Sequence, residues 1–135
     1  MIIIQLKLKK IMSPGPLKLF FVVLIFFSSV LADPIQKKTA YLKLLDKTSN
    51  KIMAKKIDVN TAISWGSLDI QIFLCYSSSP DEIPEDYVLI EVIDKLDYEK
   101  EYIYRGWMIS SSPDVTSLEH SIYDLWLVDC INERT

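Results

Sequence analysis

A mostly β fold, a small antiparallel sandwich or barrel-like domain with one short helix, is what the pattern of apolar side chains in this chain predicts. Three observations carry it. From Leu68 to Tyr76 the residues alternate, with Leu68, Ile70, Ile72 and Leu74 on one face and Asp69, Gln71, Phe73 and Cys75 on the other. A period of two belongs to strands, not helices. Other short β-rich runs follow along the chain, separated by turn chemistry, as in all-β domains. Only Ser112-Pro113 looks like a helix start within this region, and an N-terminal signal helix precedes the domain.

The N-terminal segment comes first. Lys7, Lys9, Lys10 and Lys18 lie in the first 32 residues, with no Asp or Glu among them. An apolar run from Leu19 to Phe27 follows, then Ser28-Ser29-Val30-Leu31-Ala32. A basic region, a short apolar core and a small residue before the cut are the features of a secretory signal peptide. Cleavage is expected between Ala32 and Asp33. The apolar run falls short of the roughly 20 residues that span a bilayer. An uncleaved membrane anchor is the alternative, and a start at Met12 is another.

Residues 33–39 read as a loose N-terminus of the mature chain. Ala40 to Leu45 reads as a strand, Asp46 to Lys51 as a turn and Ile52 to Val59 as its hairpin partner. Ala62 to Trp65 leads into Gly66-Ser67, a bend or bulge signal. The stretch from Ser77 to Asp86 holds two Pro and four acidic residues, which makes it a loop. Tyr87 to Ile93 is a strand with Val88, Ile90 and Val92 on one face, and Asp94 to Glu101 is a charged connection. Tyr102 to Ile109 is a further strand, with Gly106 marking a bulge or a close contact. Ser112 is placed to cap a helix with Pro113 at its first position and Asp114 at its positive end, reaching His120. Ile122 to Cys130 is the last strand. The domain spans residues 40–131, and 132–135 form a tail.

With the four lysines of the leader set aside, 11 basic side chains face 18 acidic ones, a net charge of −7. An acidic domain is a poor partner for nucleic acid or anionic lipid, which need a basic face. The membrane is therefore expected to matter only through the leader, if that is uncleaved. Cys75 and Cys130 both lie in the mature region, 55 positions apart. In an exported chain two cysteines most simply form one disulfide. Two free thiols or an intermolecular bond are the alternatives.

Residues 106–130 gather the chemistry: Trp107, Ser111, Ser112, His120, Trp126 and Cys130. All but Cys130, which belongs to the expected disulfide, are the candidate binding or functional residues. A Ser–His–Asp hydrolase could use His120 with Ser110, Ser111 or Ser112 and Asp114 or Asp124, but the Gly-x-Ser-x-Gly elbow is absent. The plainer reading has His120 capping the helix or bonding a nearby carboxylate. No Cys-x-x-Cys motif is present, and one His with two distant Cys does not make a zinc site. The acidic loop lacks the Gly and alternating ligands of a calcium loop. No cofactor, metal or catalytic residue is assigned. Trp65, Trp107 and Trp126 are expected in the core, and Arg105 in an ion pair with a nearby carboxylate.

Gly106-Trp107-Met108, Ser111-Ser112-Pro113, Leu118-Glu119-His120, Tyr123-Asp124-x-Trp126 and Cys130 together resemble the signature of an uncharacterised family of secreted proteins, found mainly in alphaproteobacteria and classed as a domain of unknown function. Trp65-Gly66-Ser67-Leu68-x-Ile70 and Cys75 are similar to its upstream block and first Cys. Ser121 stands where the family usually has Pro, and Trp65 where it usually has Phe. The resemblance implies export and a paired Cys, and no known reaction. The expectation is a periplasmic or secreted β-domain that binds an envelope protein or glycan or has a structural role. An envelope hydrolase using His120 and a structural module anchored in the inner membrane are the alternatives.

Overall fold

The computed structural model describes residues 15–26 and 32–133. The chain divides into two compact units, Met1–Leu31 and Ala32–Thr135. In the first, helix α1 (Pro16–Phe26) opens on Pro16, whose fixed φ suits a first helical turn. No helix among the described residues is long and apolar enough to cross a membrane. The rest of the expected leader, residues 1–14 and 27–31, lies outside the described residues.

The second unit is mostly β. Its elements are β1 (Ile35–Gln36), β2 (Thr39–Asp46), β3 (Lys51–Asp58), β4 (Thr61–Trp65), β5 (Leu68–Ser77), β6 (Asp86–Asp94), β7 (Tyr104–Ile109), α2 (Pro113–Thr116), β8 (Leu118–Glu119) and β9 (Tyr123–Ile131). They form two antiparallel sheets. One has the order β1-β5-β6-β7, with β4 also paired to β5, and the other has the order β3-β2-β9-β8. The sheets form a sandwich and do not close into a barrel. Between them lie Leu42 and Leu44 of β2, Ile70 and Ile72 of β5, Val88, Ile90 and Val92 of β6, and Leu125 and Leu127 of β9, each at most 1% exposed. Burying each of these larger side chains stabilises the fold by about 1.5–3 kcal/mol. Trp65 joins them at 5% exposed.

Plain alternation fails at two positions, both decisive. In β5, Ile72 opposes Ile90 and Leu74 opposes Leu89, so Phe73 is an extra residue without a partner. In β9, Leu127 opposes Leu42 and Asp129 opposes Tyr41, so Val128 is extra. Each bulge reverses which side chains point inward from there on. Leu74 therefore leaves the face of Leu68, Ile70 and Ile72, and Cys75 takes its place in the core. Cys130 likewise turns inward behind Leu125 and Leu127. Cys75 and Cys130 follow their bulges by two residues each. They stand at disulfide distance with their Cα atoms 5.8 Å apart, linking the two sheets.

Several local expectations change. Ile35–Gln36, expected to be loose, pairs with Ser77 and Tyr76 of β5. The helix after Pro113 is only four residues long and ends before Leu118, which starts β8. Ser112 does not cap it with its side chain; Thr116 Oγ1 instead bonds Ser112 O at 2.9 Å. Gly106 is neither a bulge nor a close contact: its register is unbroken and nothing lies within 4 Å of a Cβ placed there. Its φ of 154° is what requires glycine. The tail is held down at Glu133, which accepts from Lys56 Nζ at 2.6 Å and, through its carbonyl, from Thr39 Oγ1.

Candidate functional site

The bulge at Phe73 builds a second apolar surface on the outside of the first sheet. Beyond it, Leu74 lies across from Leu89, which lies across from Trp107. Tyr76, Tyr87 and Ile109 make the next row. Before the bulge the same outer face is polar, with Gln71 opposite Glu91 and Glu91 opposite Arg105. Arg105 Nε donates to Glu91 Oε2 at 2.6 Å, the expected ion pair. An outward sheet face is ordinarily polar along its whole length, so the aromatic half calls for an explanation.

Trp107 is 43% exposed, a correction to its expected place in the core. Met108 beside it points inward and is buried, which fixes Trp107 outward. Its ring tilts against that of Tyr76, with centroids 6.2 Å apart and planes at 39°. With Tyr87, Ile109, Ala32 and Pro34 the pair lines an open groove of about 630 Å³, and Ser78 and Glu82 lie at its edge. The helical turn α2 braces this part of β7. Thr116 Oγ1 accepts the Ile109 N–H at 2.9 Å, and Tyr104 Oη lies 2.8 Å from both Trp107 O and Thr116 O. Burial pushes the Tyr104 hydroxyl pKa up.

The loop between β5 and β6 forms one wall. Glu85 accepts hydrogen bonds from Ser110 Oγ and the Ser111 N–H, both at 2.9 Å, and a short one from Ser111 Oγ. Burial raises the Glu85 pKa, but these bonds outweigh it and hold the carboxyl below its usual range. Ser111 and Ser112 thus stand in the turn that follows β7 and are not among the residues lining the groove.

His120 and Trp126 do not join them. Trp126 lies on β9 opposite Lys43 and is half-buried, on the side away from Leu125 and Leu127. His120 sits at the far end of β6, its Nε2 donating to Asp94 Oδ2 at 2.9 Å. The Ile122 N–H donates to His120 Nδ1 at 3.2 Å, which assigns the proton to Nε2. Both ring nitrogens are therefore engaged. Ser110 bonds Asp86 at the opposite end of the nine-residue strand β6. At ~3.3 Å per residue the two ends are about 25 Å apart, so Ser110, Ser111 and Ser112 do not meet His120. Asp94 is held below the usual carboxylate range by the Leu96 N–H, against burial, with His120 and the Ser67 hydroxyl adding to the effect. Among the described residues no group of three or more His, Cys, Asp or Glu stands together to hold a metal ion.

Tyr76, Tyr87, Ile109 and Glu85 were missed as site residues by sequence reasoning. For Tyr76 a signal was present: if Cys75 points inward to a partner cysteine, its neighbour Tyr76 points outward; Tyr87, Ile109 and Glu85 are placed by strand register, which nothing local marks.

No solved structure matches this chain. A curated relative, the uncharacterised protein RP359 of Rickettsia prowazekii (strain Madrid E), is 27% identical over 86 residues, covering 60% of this chain and 56% of the relative. The chain thus matches just over half the length of that relative. A family model described as an uncharacterised protein conserved in bacteria matches residues 40–130, from the first buried apolar residue of β2 to the second cysteine of the pair. That stretch contains nearly the whole sandwich and the groove's aromatic residues, so this chain belongs to the DUF2155 family of conserved bacterial proteins.

Proposed function

We propose that the chain is exported and acts in the cell envelope as a binding domain, taking an envelope protein or glycan in the groove around Trp107. The observation that carries this reading is the outward, 43% exposed Trp107 packed against Tyr76. A large aromatic held rigid on a braced strand gives contact area at low entropic cost and is enriched at binding hot spots. The basic, apolar N-terminal segment supports export, and the cysteine pair at disulfide distance suits an oxidising compartment. The net charge of −7 beyond Ala32 argues against nucleic acid as the partner.

The test is site-specific photo-crosslinking in intact cells. A crosslinker at Ile109, beside the groove, is expected to capture one defined envelope component, and Trp107→Ala is expected to abolish the adduct. A crosslinker at Lys43, on the other sheet, is the control. Equal capture from both positions, or capture indifferent to Trp107, ends the proposal. Recovery of a mature chain that still carries Met1 would remove the signal-peptide part of it.

A further inference from the structure

We infer that the occupant of the groove is a segment of a partner protein that presents an apolar anchor next to a Lys or Arg. This rests on the reading of the groove as a binding site. Three observations choose the occupant. First, charge: Glu82 lines the groove, Asp81 is exposed beside it in sequence, and among the described residues no Lys or Arg lines it. A cationic partner is steered to such a rim, and an anionic one is repelled.

Second, the lining is mostly apolar or aromatic; its polar atoms are the Tyr76, Tyr87 and Ser78 hydroxyls, the Trp107 ring N–H and the Glu82 carboxylate, and Ser78 is already engaged. Ser78 Oγ donates to Ile83 O at 3.0 Å and accepts the Glu85 N–H at 2.9 Å. Glu85 is held by Ser110 and Ser111. A sugar ring carries a hydroxyl on most of its carbons, more than these few groups can pair; those set against Trp107, Ile109 and Pro34 stay unpaired, and unpaired buried polar groups are costly. The 39° tilt of Trp107 against Tyr76 makes a wedge, not the flat platform on which a sugar face stacks. A wedge suits a branched or cyclic apolar side chain.

Third, the mode of contact. The outer edge of β7 is obstructed to an added strand at Trp107 and Ile109, because Thr116 Oγ1 accepts the Ile109 N–H and Tyr104 Oη bonds Trp107 O. A peptide here binds by side-chain anchors on the sheet face and not by extending the sheet.

The experiment presents the full chain, purified in mild detergent, to an array of random nonapeptides and, separately, to chitotetraose and muropeptide fragments. The expected result is selection of peptides with an apolar residue next to Lys or Arg. Affinity for the best of them should fall at least tenfold with Trp107→Ala and weaken with rising salt. Glu82→Lys should weaken it, and a peptide with its basic residue changed to Glu should recover binding to that variant. Saccharide binding that depends on Trp107, with no peptide selected, overturns this inference and leaves the groove reading standing. Peptide selection indifferent to Glu82→Lys and to salt overturns the charge argument, and with it the inference. Binding of neither probe sinks both readings.

Discussion

Gly66 and Tyr123 show how a single position can be over-determined. Gly66 opens the two-residue turn between Trp65 and Leu68 with a φ of 62°, where glycine is at no disadvantage. Tyr123 comes down from the other sheet so close that a Cβ on Gly66 falls 2.5 Å from its hydroxyl oxygen. Gly66→Ala therefore meets both backbone strain and a clash. A loss of about 1–3 kcal/mol is expected, read as a lower urea midpoint; an unchanged midpoint contradicts the packing described. Beside this contact, His120 stacks on Tyr123 at 5.9 Å and reaches across the sheets to Asp94. The side chains of His120 and Asp94 are 15% and 7% exposed. Because the folded pKa of Asp94 is depressed, its stabilisation is present above the unfolded carboxyl pKa of about 3.9 and is lost as pH falls through the folded value. Asp94→Asn should cost about 1–3 kcal/mol at neutral pH. The gap from wild type should narrow below pH ~4. A gap that stays constant from pH 7 to pH 3 counts against the hydrogen-bonded, ionised Asp94 carboxylate.

At the scale of elements, the decisive devices are the bulges at Phe73 and Val128. One extra residue in β5 places Cys75 in the core and Leu74 and Tyr76 on the outside, so the same irregularity makes both the inter-sheet link and the aromatic half of the outer face. Deleting Phe73 removes the extra residue and leaves Leu74 opposite Leu89 and Cys75 opposite Val88 in an unbroken ladder, with Cys75 still inward and Tyr76 outward. The expected outcome is a chain whose two cysteines remain paired by non-reducing mass measurement; two free thiols refute the phase argument. Strand existence was legible because Leu68 to Tyr76 and Ile122 to Cys130 alternate over most of their lengths. The bulges were not, since Phe73 and Val128 carry no Gly and fit a strand as well as their neighbours do. The short helix starts where Ser112, Pro113 and Asp114 signal it, but it stops short of His120 because Leu118 is claimed by pairing with Leu125.

For the whole molecule, two sheets with a modest core are joined by one covalent link between strands near its middle and end. Closing a loop of 55 residues constrains the unfolded chain by about 4 kcal/mol in the loop-entropy account. Replacing both Cys75 and Cys130 by Ser should remove about 2–4 kcal/mol, and reductant should lower the wild-type urea midpoint while leaving the double variant unmoved. If reductant shifts neither, the cysteines are not paired in solution. The core was largely legible: Leu42, Leu44, Leu68, Ile70, Ile72, Val88, Ile90 and Val92 were all visible as apolar positions in β-rich runs. The site was half legible. Trp107 faces the groove from β7, Ser111 and Ser112 stand in the turn after it without lining the groove, and His120 and Trp126, equally distinctive in sequence, lie elsewhere.

The sequence by itself determined the class of fold and the turns, because period-two alternation and Gly and Pro punctuation are properties of neighbours along the chain. Only the tertiary structure decided which face each side chain takes past a bulge and which carboxylate answers His120. It alone showed that Trp107 stands against Tyr76 outside the core. Those outcomes depend on register between strands far apart in sequence, and a shift of one residue reverses them all.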